Sequence, residues 1–130
     1  MNYMNEYKRL DNLLKEKSYN GISEYIKEIE KIIKKENSPS KLDNEYNKLK
    51  HYRWVRNKIA HEADIKESDL YTDEDIKWLK SFYNKISKEK DQLSIYKKIK
   101  QEQKKLSMLD IIVTIVMLTI IIFAITIMLG

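Results

Sequence analysis

The residues Ile111–Leu129, IIVTIVMLTIIIFAITIML, carry 16 apolar side chains in 19 positions and no charge. Extended back to Met108, the run makes a helix about 33 Å long, enough to cross a hydrocarbon core about 30 Å thick. The rest of a 130-residue chain is too small to cover such a helix on all sides. The expectation is one membrane-crossing helix over 108–129. The alternative is a buried or oligomerising core helix. Asp110 stands near the start of the run, within reach of the headgroups. The run has no G-x-x-x-G, and Thr114, Thr119 and Thr126 bond either across helices or to their own backbone. It reads as an anchor, because a channel or transporter needs polar residues inside the membrane.

The first ten residues, MNYMNEYKRL, are polar and carry no apolar signal region. Lys97, Lys98, Lys100, Lys104 and Lys105 precede the run, with Glu102 the one acid among them. The positive-inside tendency then predicts a single-pass protein of the cell membrane with its N-terminal body in the cytoplasm. The same lysines either attract anionic headgroups, at about 1 kcal/mol each near the surface, or only solubilise the helix. The chain thus divides into a body over 1–96, a basic juxtamembrane segment over 97–107 and the span over 108–129.

Composition narrows the chemistry of the body. Lys+Arg number 25 against 20 Asp+Glu, a net charge of +5. With no cysteine there is no disulfide framework, thiolate metal site or cysteine nucleophile. Two glycines exclude a phosphate-cradling glycine loop. Only His51 and His61 are available for acid–base work. Two histidines without cysteine do not build a closed zinc site, and no metal or other cofactor is expected.

The body reads as all-α. Met4, Tyr7, Leu10, Leu13 and Leu14 recur at helical spacing, and Asn20-Gly21 ends that stripe. Ile22, Tyr25, Ile26, Ile29, Ile32 and Ile33 form a second stripe, which Asn37-Ser38-Pro39 breaks. Ser40 with Asp43 predicts a capping box opening a third helix that runs to about His61. Ala63–Tyr71 is a polar loop. Thr72 with Asp75 predicts a second cap, opening a fourth helix with Ile76, Leu79, Tyr83 and Ile86. After a break near Asp91, Leu93, Tyr96 and Ile99 continue the periodicity. A core this thin favours dimerisation.

The third helix holds the residue that does not fit its pattern. At about 100° per residue with Arg56 at zero, Leu49, Leu42 and Tyr46 fall at roughly 20°, 40° and 80°. Tyr52, Ile59 and Val55 fall at roughly 320°, 300° and 260°. Arg56 therefore lies inside the apolar stripe, where a guanidinium is costly without a partner. Asn57, near roughly 100°, and His61, near roughly 140°, flank it beside Trp54. One reading pairs Arg56 with a carboxylate of another helix and lets His61 favour the negative helix end. The other makes Arg56, Asn57 and His61 a site.

Arg56-Asn57-Lys58-Ile59-Ala60-His61 resembles the R-x4-6-H signature of HEPN domains, with Asn after Arg and Ala before His. The preceding His51-Tyr52-Arg53-Trp54-Val55 and the following TDEDIKWLKSFY of Thr72–Tyr83 resemble the motif's surroundings in small bacterial members. The resemblance covers roughly Tyr3–Tyr96. It implies a small four- to five-helix HEPN-like bundle that dimerises with its motif helices facing one another, so that the apolar stripe is the dimer seam. It further implies a metal-independent ribonuclease, a toxin or phage-defence effector with an antitoxin or other partner protein. The alternative within the same family is an inactive module that dimerises or binds nucleotide or protein.

Carried over, Arg56 and His61 are the catalytic pair and Asn57 orients them, while Arg53 adds a phosphate contact. The chemistry suits these residue types. A histidine takes the proton of an RNA 2′-OH near neutral pH, and an arginine holds the phosphate oxygens bidentately.

Overall fold

The computed structural model describes residues 2–36 and 40–130. The fold is all-α, with helices α1 (Tyr3–Glu16), α2 (Ile22–Glu36), α3 (Ser40–His61), α4 (Asp73–Ser87) and α5 (Gln92–Leu129). A 3-10 turn, Glu67–Asp69, interrupts the loop between α3 and α4. The break expected at Asn37–Pro39 and the cap expected from the Ser40 side chain lie outside the described residues. The chain divides into two units, Met1–Ile95 and Tyr96–Gly130.

In the first unit, α1 packs mainly on α4 and α2 on α3. The core takes Tyr3, Tyr7, Leu10, Leu13 and Leu14 from α1, and Ile22, Tyr25, Ile26 and Ile29 from α2. It takes Leu42, Leu49, Tyr52 and Val55 from α3, and Ile76, Leu79, Phe82 and Ile86 from α4. Each large apolar side chain buried this way contributes about 1.5–3 kcal/mol. One position of the α4 stripe is shifted from the expected pattern: Phe82 is buried, and Tyr83 is half-buried under the Arg9 guanidinium, 4.4 Å from its ring centre. Phe82 stacks on Trp78 at 4.8 Å, so α4 turns its fully apolar ring inward and keeps the phenol at the margin.

The turns use side chains as well as backbone. Between α1 and α2, Gly21 has φ +101°, and a Cβ there would lie 2.7 Å from Asp11 Oδ1. That oxygen accepts from the Ile22 amide at 2.8 Å, satisfying an orphan donor at the start of α2. Glycine is required both for its backbone conformation and for this approach. At the start of α4 the expected capping box is present. The Thr72 amide donates to Asp75 Oδ2 at 2.8 Å and the Asp75 amide to Thr72 Oγ1 at 3.4 Å.

The second unit is the continuation of α5. It contains the stretch that is long and apolar enough to cross a membrane, and its side chains are exposed throughout Lys98–Gly130.

Candidate functional site

The end of α3 is held in place by a chain of hydroxyls. Tyr3 donates to the Tyr52 carbonyl at 2.7 Å. Tyr52 in turn donates to Asp75 Oδ1 at 2.8 Å, and Asp75 caps α4. Burial pushes the Tyr3 and Tyr52 hydroxyls well above their ordinary range, so both remain donors. Burial alone would raise the Asp75 carboxyl. Hydrogen bonds from the Thr72 amide, Tyr52 and the Thr72 hydroxyl, with the nearby His51, outweigh it and hold Asp75 below its usual value. One turn before Arg56, α3 is thus tied to both α1 and α4.

The stripe expected to serve as a dimer seam lies in the core of its own chain: Leu42, Leu49, Tyr52 and Val55 are at most 2% exposed. The physical reason is that α2 covers α3 along the stripe. Cover thins toward the helix end, where Ile59 is half-buried and Ala60 exposed. Arg56 sits at this margin, half-buried. Its Nη1 donates to Asn57 Oδ1 at 3.1 Å. Among the described residues no carboxylate pairs with it, so the ion pair considered from sequence is not formed.

Arg56 and the half-buried Arg53 act on the same neighbour, Tyr7 of α1. Burial, with Asp11, pushes the Tyr7 hydroxyl up to about 12, while the two guanidinium charges oppose that rise. Tyr7 is the residue that sequence reasoning placed only in the core. Its signal is a hydroxyl on an otherwise apolar stripe.

His61 is exposed on the last turn of α3, and no hydrogen bond joins it to Arg56. It shares a face with Asn57 and Trp54, because positions i, i+3 and i+7 line one side of a helix. Trp54 is 48% exposed. The His51 ring stacks on it at 5.9 Å and Lys58 Nζ lies 5.5 Å from its centre. Lys58 also pairs with Glu62 at 2.6 Å. The structure therefore joins Arg56 to Asn57 and leaves His61 on the face carrying Asn57 and an open indole.

A cleft of about 400 Å³ lies elsewhere in the unit, lined by Lys41, Asn44, Glu45, Trp78, Lys85 and Gln92. None of the motif residues lines it. Two carboxylates of the unit are buried, Glu45 in the cleft lining and Asp91. Glu45 Oε2 accepts from the Gln92 amide at 3.1 Å. Asp91 Oδ2 accepts from Tyr25 at 2.6 Å and from the Ser94 amide at 3.2 Å. These bonds cap the start of α5.

The family of unknown function DUF6548 matches residues 1–110, and the chain belongs to it. The match takes in the whole helical body with the motif and stops where the uncharged apolar run begins. No curated protein and no solved structure matches the chain.

Proposed function

We propose that this protein is a membrane-anchored, homodimeric endoribonuclease of the HEPN type that cleaves RNA without a metal. The observation carrying this reading is the end of α3. There an arginine with no carboxylate partner among the described residues is bonded to Asn57, and Asn57 shares an exposed face with His61 and Trp54.

In this reading Arg56, with Arg53, holds the scissile phosphate, and Asn57 fixes the Arg56 guanidinium. His61 removes the 2′-OH proton, O2′ attacks phosphorus and the P–O5′ bond breaks. The products are a 2′,3′-cyclic phosphate and a 5′-OH. The leaving oxygen takes its proton from His61 of the second copy, since the symmetric pair brings both motifs together. Trp54 offers a face on which a base stacks. DNA, lacking the 2′-OH, is not cut.

The apolar part of α5 holds the protein in the cell membrane as a single pass. The lysines before it set the body on the cytoplasmic side. A toxin or phage-defence effector of this kind works with an antitoxin or other silencing partner.

The test is cleavage of mixed cellular RNA by the full chain in vesicles with excess chelator, beside His61→Ala and Arg56→Ala. Cyclic-ended products that both variants lose support the reading. Equal cleavage by either variant and the parent overturns it.

A second reading, an inactive HEPN-like module that binds nucleotide or protein at the membrane, is favoured by one feature. Arg56 and His61 lie roughly 140° apart around α3, and no hydrogen bond joins them in the single chain. It expects no hydrolysis by the parent and weaker nucleotide binding in Arg56→Ala.

A further inference from the structure

From Lys98 onward the side chains of the second unit are exposed. Ile99 and Leu106, 52% and 59% exposed, stand seven residues apart in an otherwise polar stretch. With Ile99 at position a of a seven-residue repeat, the a positions are Ile99, Leu106, Val113, Ile120 and Ile127. The d positions are Glu102, Leu109, Val116 and Phe123. Four of the five a residues are β-branched. Lys97, Lys98, Lys100, Lys104 and Lys105 fall at f, g, b, f and g, so none of them occupies the seam.

Within the apolar run many frames give an apolar seam, and lipid supplies no hydrophobic drive between helices. The polar groups therefore decide. The three threonines are closed on their own helix. Thr114 donates to the Asp110 carbonyl at 2.8 Å, Thr119 to Ile115 at 2.8 Å and Thr126 to Ile122 at 2.9 Å. Asp110 remains, a carboxylate just inside the apolar stretch, where an unpaired charge is costly. In this frame Asp110 is at e and Lys105 at the preceding g. In a parallel two-stranded coil a g residue meets the following e of the other strand. Copies inserted in a membrane with one topology are parallel.

We propose that α5 pairs with α5 of a second copy as a parallel coiled coil running from the basic segment into the apolar run, locked by Lys105 of each chain on Asp110 of the other. Lys98 meets Gln103 in the same way one repeat earlier. Glu102, at d, faces its own counterpart across the seam. It fixes register at a cost in stability, as a polar residue in a coiled-coil core does. The pairing rests on the membrane-anchor reading for its parallel direction.

The chain has no cysteine, so single-cysteine variants of the full chain in phosphatidylcholine–phosphatidylglycerol vesicles report the seam directly. Flotation with the vesicles first reports anchoring, and a chain that fails to float overturns the anchor. Among floating chains, Ile99→Cys and Leu106→Cys are expected to give disulfide dimers several-fold above Gln101→Cys and Lys104→Cys. A flat or inverted pattern overturns the register. Energy transfer between labelled full chains tests the lock. Asp110→Lys and Lys105→Asp each lower the dimer fraction, and the double variant restores it. Failure of the double to restore overturns the pairing. Glu102→Leu is expected to raise the dimer fraction, and a decrease overturns the placement of Glu102 in the seam.

Discussion

The two ends of α3 treat charge in opposite ways. Near its start Glu45 is 5% exposed, and its carboxylate accepts a backbone amide 47 residues away. Its neighbour Asp91, fully buried, is bonded to Tyr25 of α2. Near its end the Arg56 side chain is bonded, among the described residues, to the next residue alone, and His61 is open to solvent. Buried charges with long-range partners are part of the scaffold, because removing a partner leaves a desolvated group. Exposed charges with local partners cost the fold little and remain available to a ligand. The contrast lies between polar groups bonded into the scaffold and polar groups left open on the same helix.

The largest expected effect is at the open end. If His61 is the base, His61→Ala lowers RNA cleavage by about 10²–10⁴-fold, measured as initial rate under chelator with the full chain in vesicles. Asn57→Ala, which frees the Arg56 guanidinium, lowers the rate less and leaves cyclic-ended products. A rate unchanged in both variants would remove the distinction between the two ends.

At the closed end the effect falls on stability. Tyr25→Phe withdraws the hydroxyl from Asp91 Oδ2 and leaves a fully buried carboxylate with only the Ser94 amide. The expected loss is about 1–3 kcal/mol, read as a lower urea midpoint of the full chain in vesicles, with RNA cleavage per folded molecule unchanged. A midpoint equal to the parent's would mean that the buried cluster is not what holds the start of α5.

Much of this contrast was legible in the sequence, and the remainder was not for a definite reason. The four stripes, the turn at Gly21 and the Thr72–Asp75 cap follow from spacing and local chemistry, which are properties of single segments. Whether a stripe position is covered depends on a neighbour. The angle that singled out Arg56 also puts Glu45 inside the stripe, at roughly 340°. What separates the two is the Gln92 amide on Glu45 and the thinner cover at the helix end, where Arg56 is half-buried. Tyr7 is the same case, a core residue by period whose hydroxyl feels the charges of Arg53 and Arg56. The choice of Phe82 over Tyr83 turns on one residue of register that the α4 pattern alone does not fix.

The buried cluster also has a pH signature. Burial raises the Glu45 carboxyl, and Asp91 adds to this against the Gln92 amide and Lys85. The folded state therefore holds the Glu45 proton more tightly than the unfolded state. This contribution is fully present below the ordinary carboxylate value and is lost as pH rises through the raised one. Glu45→Gln, which keeps an acceptor for Gln92, removes that loss. Its urea midpoint relative to the parent is expected to rise between about pH 4 and pH 7. Asp75 has the opposite sign: its lowered value gives stability above the ordinary carboxylate range that disappears on acidification. A constant difference between Glu45→Gln and the parent across the range would show that Glu45 is not strained by burial.

The smallest expected effect returns to the open end and completes the comparison. His61 is exposed, ends α3 and has no hydrogen-bond partner among the described residues. Its replacement forfeits at most the favourable interaction of a basic group with the helix end, under about 1 kcal/mol. His61→Ala should therefore leave the urea midpoint almost where the parent has it, well inside the drop expected for Tyr25→Phe. Arg56→Ala should cost somewhat more than His61→Ala, because Arg56 is half-buried and an arginine stabilises through its methylenes as well as its charge. If His61→Ala instead unfolded the chain as readily as Tyr25→Phe, His61 would belong to the scaffold, and a loss of cleavage in that variant would say nothing about catalysis.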